Sequence, residues 1–336
     1  MKIASIKDIA HIAGVSTSAV SKALNGYTDI GEETRENILK IAEDLQYSPN
    51  VIARNLASKN SKTIGLIFSD LKDTDSNGNI IFRLFISTIH CAQSKDYEVL
   101  VVNTDLKQQK AKHLKNLVAE RRLAGVILYG FKLSDPYLSQ LKKLRIPIVT
   151  IDMFLPDKNV STVTIDNESA ILEMLTYIKS RDKHRKIAFV NGLADSDIAN
   201  MRWKAYVKAR KQLNLGVEEL VSCHADFLES KAYQEANILL DKHPDITCFM
   251  CASDLMAMGV MQALRDRGKT IPQQVSVTGF DGIQLCEYTM PTLTTIKQDF
   301  KSIGKLATRN LIDAIEQRPV SKVVYAPFDL SVGGSV

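Results

Sequence analysis

The sequence lacks the features that mark membrane proteins and exported proteins. Its longest apolar runs, such as residues 64–68, are only as long as a strand, whereas a helix that spans a bilayer needs about 20 apolar residues. Lys7, Asp8 and His11 interrupt any apolar stretch near the N-terminus, so the sequence predicts no signal peptide. We therefore expect a cytoplasmic protein that does not contact a membrane.

Cysteines are scarce and predict neither a disulfide framework nor a metal site. The five cysteines are scattered and odd in number, which fits reduced thiols. Cys248 and Cys251 have the CxxC spacing of some metal sites, but the apolar run 246–252 around them indicates a buried strand. Residues three apart in a strand point to opposite faces, roughly 10 Å apart, too far to share a metal with bonds of about 2.3 Å. We expect no metal and no cofactor.

Charge and composition favour no single class of partner. The net charge of +5 is compatible with nucleic-acid binding but does not establish it. Residues 1–62 hold eight basic and seven acidic side chains, an excess of only +1. The 45% hydrophobic and 24% charged residues describe an ordinary globular protein, and the length of 336 residues predicts two or three domains.

The N-terminal region predicts a helix-turn-helix. Apolar residues recur at i, i+3, i+4 and i+7 over residues 6–13, and Gly14 follows where a left-handed turn residue is wanted. Ser16 is placed to cap a second helix, which would end before Gly26. Two short helices joined by a tight turn form a helix-turn-helix, and a third apolar stripe over 32–46 closes a three-helix unit.

The second helix carries a polar face opposite its apolar face. Small and hydrogen-bonding side chains suit the floor of a DNA major groove, where base edges offer donors, acceptors and thymine methyls. An ordinary solvated face is the alternative for any single helix. Here the turn, the caps and a face without long acidic side chains occur together, so we favour DNA binding. The face comprises Thr17, Ser18, Ser21, Lys22 and Asn25.

Ser48 and Pro49 can both end the third helix and begin another. Proline disfavours helix at the preceding residue but is common at the first position of a helix. A short helix over 51–57 could then precede the polar stretch 58–62. Because so short a helix is marginal alone in water, we expect it to be ordered only against a partner or DNA.

From Thr63 onward, short β-branched runs alternate with helical stretches. This alternation predicts parallel sheets covered by helices on both faces, and the length of the region favours two sheets over one. The predicted strands are 63–69, 98–103, 125–129, 147–152, 186–191, 246–252 and 275–280, and 169–180 is one of the predicted helices. The predicted fold is an all-α helix-turn-helix headpiece joined to an α/β core of two doubly wound lobes.

Polar residues gather where these strands end. Ligands of doubly wound sheets bind beyond the carboxyl ends of the strands, here in a cleft between lobes. Arg202, shortly after one strand, and several short acceptors suit a polyhydroxylated ligand that stacks on Phe227 or Phe300. Each alone is more often a helix cap or a structural polar group, and Asp254 could simply cap the helix 255–265. The acceptors are Asp152, Asn191, Ser253, Asp254 and Asp281.

Eight motifs carry a resemblance over essentially the whole chain. They are Ile6–Ala10, Ala13–Ser16, Val20–Asn25, Tyr47–Asn50, Ala53–Leu56, Ser253–Gly259, Gly279–Asp281 and Leu293–Gln298. In this order and spacing they resemble the lactose repressor (LacI/GalR) family of bacterial transcription regulators. The resemblance implies a repressor that binds a pseudo-palindromic operator as a homodimer, and a core like periplasmic sugar-binding proteins. It also implies a small effector between the lobes, a sugar or sugar derivative in the simplest case.

The resemblance also assigns residues and boundaries. The DNA-binding set is Ser5, Ser16, Thr17, Ser18, Ser21, Lys22, Asn25, Asn50, Ala53, Arg54 and Leu56, and Leu56 resembles a leucine that wedges a central base step. The effector-binding set is Asp152, Arg202, Phe227, Ser253, Asp281, Gln298 and Phe300. The implied domains are a headpiece at 1–47, a hinge helix and linker at 48–61 and a core at 62–336. The first lobe covers about 62–161 and 293–323, and the second about 162–292 and 324–336.

Some positions depart from the family pattern and leave the ligand and the operator open. Ser253 stands where sugar-binding members often have asparagine, Ile198 replaces a small polar residue, and the loop 70–79 is longer than usual. Lys22 replaces the commoner arginine or histidine. The residues after 318 show no heptads, so we expect a dimer without a tetramer-forming coiled coil.

An enzyme and an exported sugar receptor are the alternatives from other classes. The sequence has no dinucleotide-binding glycine loop after its first strand, no GxxxxGK[ST] and no nucleophile elbow. Its six histidines include no metal-spaced pair. A sugar receptor would share the core but would have a signal peptide and no helix-turn-helix, so the first 60 residues argue against it.

Overall fold

The computed structural model describes residues 4–24, 29–47, 61–71, 78–181 and 186–336. It divides the chain into two compact units, 1–61 and 62–336. The division falls where the sequence places the start of the core.

The described residues of the first unit form three helices, α1 (Ile6–Ala13), α2 (Thr17–Leu24) and α3 (Glu32–Asp44). Their apolar stripes meet in a small core in which Ile9, Val20 and Ile38 are fully buried. Gly14 adopts the left-handed conformation that turns the chain between α1 and α2, with φ of 67°. The predicted helix-turn-helix is confirmed, because both its turn and its apolar faces are in place.

The second unit contains two six-stranded sheets. The first sheet, in spatial order, consists of β11 (Val323–Ala326), β5 (Val160–Ile165), β4 (Ile148–Ile151), β3 (Gly125–Tyr129), β1 (Thr63–Ser69) and β2 (Glu98–Thr104), all parallel. The second consists of β12 (Phe328–Ser331), β10 (Thr294–Gln298), β9 (Ser276–Asp281), β8 (Cys248–Cys251), β6 (Ile187–Asn191) and β7 (Val221–His224). Of the described strands, only β12 is antiparallel to its neighbour. The predicted α/β core of two lobes is confirmed.

Helices connect the strands and cover the sheets. Those of the first lobe are α4 (Gly78–Gln93), α5 (Leu106–Ala111), α6 (Leu114–Glu120), α7 (Pro136–Gln140) and α12 (Phe300–Ile315), and those of the second are α8 (Asn167–Ser180), α9 (Asp197–Gln212), α10 (Glu229–Lys242) and α11 (Asp254–Asp266). In β1, Leu66 and Ile67 point into different apolar clusters, as expected for a strand buried on both faces. Within the described ranges, no helix is long and apolar enough to cross a bilayer.

Strand pairing corrects the expected lobe boundaries. All of β5 lies in the first sheet, paired with β4 up to Val163 and with β11 up to Ile165, although the expected boundary places residues from 162 onward in the second lobe. Conversely, β10 pairs with β9 in the second sheet, and β11 pairs with β5 in the first. The chain therefore crosses between lobes three times, next to Asp166, Asp299 and Pro327. Backbone hydrogen bonds set these crossings, and the sequence pattern does not reveal which sheet a short strand joins.

The seven strands predicted from sequence all form, and each begins and ends within two residues of the prediction. Five further strands are absent from that prediction. They are β5, β7, β10, β11 and β12. Polar residues interrupt the apolar residues of four of them, as in Val160–Ile165 and Thr294–Gln298, so that these lack the continuous apolar runs of the central strands. The fifth, β11, is apolar but only four residues long.

Candidate functional sites

A cavity of about 240 Å³ lies between the carboxyl ends of the two sheets. Its wall contains segments that follow strands of both lobes, including 68–71 and 129–132 from the first lobe. The structure brings all seven predicted effector-binding residues to this one cavity. They are Asp152, Arg202, Phe227, Ser253, Asp281, Gln298 and Phe300.

Arg202 is the most firmly fixed side chain of the cavity. It lies in the first half of α9 and is 3% exposed. Its Nε donates to Asn167 Oδ1 at 3.2 Å, and its Nη1 donates to the carbonyl oxygen of Ala252 at 2.6 Å. The guanidinium lies 3.7 Å from the centroid of the Phe280 ring, and Nη2 lies 3.7 Å from Asp281 Oδ1. These contacts hold a cation in one orientation, a geometry that suits hydrogen-bond donation to a ligand.

Two buried carboxyl groups flank this arginine. Burial raises the pKa of Asp281 to about 8, although Arg202 acts in the opposite direction. Burial also raises the pKa of Asp152, against the effects of Arg202 and of a hydrogen bond from Thr164. A carboxyl group that holds its proton near neutral pH donates as well as accepts hydrogen bonds, as does a ligand hydroxyl.

Gln298 ties the second lobe's last parallel strand to this carboxyl pair. Its Nε2 donates to Asp281 Oδ1 at 2.8 Å. Its Oε1 is buried and accepts no hydrogen bond from the described residues. Such an acceptor is costly to leave unpaired.

Unusual backbone conformations aim residues into the cavity. The φ angles of Asp152, Phe227 and Asp281 are 57°, 61° and 113°, in the left-handed region that residues with a Cβ rarely adopt. Asp70 and Asp226 in the same wall have φ of 60° and 52°. Such conformations cost about 1–3 kcal/mol each and persist where the surroundings enforce them, often at binding sites.

Sequence reasoning missed several residues of the cavity wall. Phe68 and Tyr129 lie at the ends of β1 and β3, and their rings meet edge to face with centroids 6.0 Å apart. Lys132 also lines the cavity and pairs with Asp70 at 2.9 Å. The sequence prediction depends on polar residues at strand ends and therefore omits these aromatic ones. Their position at the carboxyl ends of strands was the available signal.

Two of the strand-end polar residues serve the fold rather than the cavity. Asp254 is fully buried, and its carboxylate accepts from Ile283 N at 2.8 Å and from Thr295 Oγ1 at 2.5 Å. Ser253, not Asp254, caps α11, since its Oγ accepts from Met256 N. Asn191 is 3% exposed and its Oδ1 accepts from Gly192 N. Neither Asp254 nor Asn191 lines the cavity.

The predicted DNA-reading face of α2 is accessible in the first unit. Thr17, Ser18 and Lys22 are exposed, and Ser21 is half-buried. Lys22 forms an ion pair with Asp29, which sequence reasoning did not anticipate. Asn25, Asn50, Ala53, Arg54 and Leu56 lie outside the described residues.

Two serines of the predicted DNA-binding set also cap helices. Ser16 Oγ accepts from Ala19 N at 3.1 Å and so begins α2, as predicted. Ser5 and Asp8 form a reciprocal capping box at the start of α1. Both serines are exposed, and their caps fix the two helix N-termini of the helix-turn-helix.

Comparison with known proteins identifies the family. A family model of bacterial regulatory proteins of the lacI family matches residues 5–50, and a model of a periplasmic binding protein-like domain matches residues 180–336. The probable HTH-type transcriptional repressor ExuR of Bacillus subtilis (strain 168) is 30% identical over 93% of this chain and 92% of its own length. The chain belongs to the lacI family of bacterial regulatory proteins.

Other similarities of this LacI-family regulator agree with that assignment. Catabolite control protein A of Priestia megaterium is 29% identical and covers 96% of both chains. A solved lac repressor dimer bound to operator and the anti-inducer ONPF has a TM-score of 0.85, with 23% identity over 99% of both chains, which supports the fold. The predicted family, and a role as a DNA-binding transcriptional regulator rather than an enzyme, are confirmed.

Proposed function

We propose that this regulator represses transcription by binding an operator as a homodimer, and that a small polyhydroxylated effector in the cavity controls its affinity for DNA. The observation that carries the proposal is the convergence of all seven predicted effector-binding residues on one cavity. They come from six separate places in the sequence, and a single ligand would contact both lobes.

The chemistry of the wall favours an uncharged sugar or sugar derivative. Arg202 offers fixed donors, Asp152 offers carboxyl acceptors, and Asp281 matches a hydroxyl group that both donates and accepts. Phe227 and Phe300 supply apolar faces of the kind on which sugar rings stack. Four carboxyl groups but only two cations line the described cavity wall. The carboxyl groups are those of Asp70, Asp152, Asp226 and Asp281, and the cations are Lys132 and Arg202. Even with Asp281 protonated, the described wall holds no excess of cations, which disfavours an anionic ligand.

Contacts across the cleft supply a means of control. Leu133 N donates to the carbonyl oxygen of Asp195 at 2.9 Å, and Phe154 N donates to Asp197 Oδ2 at 2.7 Å, each joining one lobe to the other. A ligand that fits one lobe orientation better than another shifts their populations, and only this difference in affinity can couple it to DNA binding. We propose that the linker at 48–61 transmits the change.

On DNA, Thr17, Ser18 and Lys22 are proposed to contact bases in the major groove, where α2 would lie. Leu56 would wedge a base step in the minor groove, where unstacking costs a few kcal/mol that further contacts offset. The related lac repressor, whose solved dimer is bound to operator, supports the homodimer. A repressor has to work where the DNA is, so the proposal includes a cytoplasmic location.

The test begins with selection of an operator from random duplex DNA by the purified full chain. The selected duplex is then titrated with and without each member of a panel of neutral sugars, sugar phosphates and uronic acids. We expect a pseudo-palindromic operator and a change in affinity with a neutral sugar. Selection of no sequence contradicts the repressor, and an affinity that no compound alters contradicts the allosteric control.

A further inference from the structure

Three strands of the first sheet, β1, β4 and β5, follow basic residues and precede an acidic one. Residues that directly follow strands at the carboxyl edge include Asp70, Asp105, Asp152 and Asp166, after β1, β2, β4 and β5. At the amino edge, segments 121–124 and 141–147, which lead into β3 and β4, hold five basic residues and no acidic one. The cavity lies at the carboxyl edge, so effector binding does not account for the cations at the amino edge.

Six exposed cations define this basic rim, namely Lys62, Arg121, Lys142, Lys143, Arg145 and Lys158. They precede β1, β3, β4 and β5, which are parallel neighbours in the sheet. Since adjacent strands are about 4.8 Å apart, the rim extends over roughly 15 Å. None of the six forms a salt bridge with a described residue.

The helix dipole explains only part of this pattern. Helices that return between parallel strands end at the amino edge of the sheet, and a helix C-terminus favours a nearby cation. The same rule applies to the second lobe, yet there the cations are mixed with carboxylates. Lys186 pairs with Asp245, and Arg267 pairs with Asp241, while Glu218 and Glu219 precede β7. The second lobe also has a basic segment at 181–186, and Asp96 and Asp157 lie at the amino edge of the first sheet. What distinguishes the first lobe is that segments 121–124 and 141–147 hold cations alone.

The rim also lies where the chain enters the core. Lys62 is the residue before β1 and directly follows the unit that contains the helix-turn-helix. Exposed cations spread over roughly 15 Å match a polyanion with regularly spaced charges, and duplex DNA carries a phosphate every 3.4 Å along each strand, as a rough average. Among polyanions, DNA is the one that this chain binds as its proposed function.

We propose that the basic rim binds backbone phosphates of the duplex that flanks the operator, a contact made by the core in addition to the headpiece. The inference rests on the proposed operator binding. Because phosphate contacts carry no sequence information, the rim would add affinity and salt dependence without changing which operator is selected.

The experiment compares the full chain with a rim variant, Lys142→Gln, Lys143→Gln and Arg145→Gln. A control variant, Lys211→Gln, Lys242→Gln and Arg265→Gln, removes the same charge from the last turns of three second-lobe helices. These three side chains are exposed and form no salt bridge with a described residue. Each protein is titrated with the selected operator in duplexes of about 20 and about 50 base pairs over a range of salt concentrations.

We expect the rim variant to bind the long duplex about tenfold more weakly than wild type. Its salt slope should be smaller by roughly 0.9 for each phosphate that the rim no longer neutralises. Its binding to the short duplex and the behaviour of the control should match wild type.

The inference is overturned if the rim variant and wild type bind the long duplex with equal affinity. It is also overturned if the rim variant and the control lose the same affinity for the long duplex. Equal affinity of rim variant and wild type would leave an acidic protein as the partner of the basic rim. If wild type selects no operator even on short duplexes, the proposed function fails, and the inference fails with it.

Discussion

A Cβ atom at position 192 would lie 2.0 Å from Cζ of Phe227. Real Cβ contacts are never so short, so glycine is required at 192 for the Phe227 ring to occupy its place in the cavity wall. Asn191 and Gly192 end a strand of the second lobe, and Phe227 follows the neighbouring strand. The shape of the cavity thus depends on a residue without a side chain.

Gly192→Ala should displace the Phe227 ring and weaken binding of the effector found in the ligand panel by about fivefold, since removal of an aromatic face costs about 1 kcal/mol. Isothermal titration measures this change in affinity. In a Phe227→Ala background the same substitution should cause little further weakening, because the ring it would strike is gone. If Gly192→Ala weakens effector binding equally with and without the Phe227 ring, Gly192 does not act through Phe227.

The buried carboxyl groups should make core stability depend on pH. Because burial raises the pKa of Asp281 from 3.8 to about 8, the folded state holds a proton that the unfolded chain has released. The stabilisation is fully present below about pH 4 and is lost as the pH rises through about 8. We expect the free energy of unfolding to fall by about 3 kcal/mol between about pH 5.5 and about pH 8.

Urea unfolding followed by fluorescence of Trp203 measures this change, since Trp203 is the sole tryptophan of the sequence and packs on Phe189 in the second lobe. Asp281→Asn should flatten the dependence on pH but not abolish it, because burial also raises the pKa of Asp254, to about 6. Asp157→Asn, outside the cavity, should leave the wild-type slope. A flat wild-type profile would refute the prediction.

The ion pair between Lys22 and Asp29 should restrain DNA binding. Both side chains are about half exposed, and Lys22 lowers the pKa of Asp29. Asp29→Asn should free the lysine for DNA, so we expect tighter binding to the operator and a salt slope steeper by about 0.9, the value for one additional phosphate. Glu36→Gln removes an equal charge from the exposed side of α3. If both variants bind the operator equally more tightly than wild type, the change in net charge alone explains the effect.

Ser16 should matter for folding of the headpiece, in addition to any contact with DNA. Ser16→Ala removes the cap bond to Ala19 N and should destabilise the first unit by about 1 kcal/mol. Ser18→Ala, two residues later and exposed, should cost much less. Amide hydrogen exchange of the buried helix residues Val20 and Ile38 measures the difference. Similar protection in the two variants would show that the cap contributes little.

The sequence alone determined the helix-turn-helix, the central strands and the identity of seven cavity residues. The first two depend on local signals: a 3.6-residue apolar period, a cap or turn residue, or a continuous apolar run. The cavity residues were assigned as a set by the resemblance to the LacI/GalR family. Arg202 and Asp281 could be named because the motifs around them have characteristic spacing, and both lie near strand ends, where parallel sheets bind their ligands.

Only the tertiary structure decided which sheet each edge strand joins, that Asp254 supports the loop at Ile283, and that Phe227 needs a glycine beside it. It also decided that the basic segments before β3 and β4 are neighbours at one edge. These features depend on pairing and packing between residues far apart in the chain. Local propensity does not encode such pairs, because backbone hydrogen bonds and van der Waals contacts between distant segments select them.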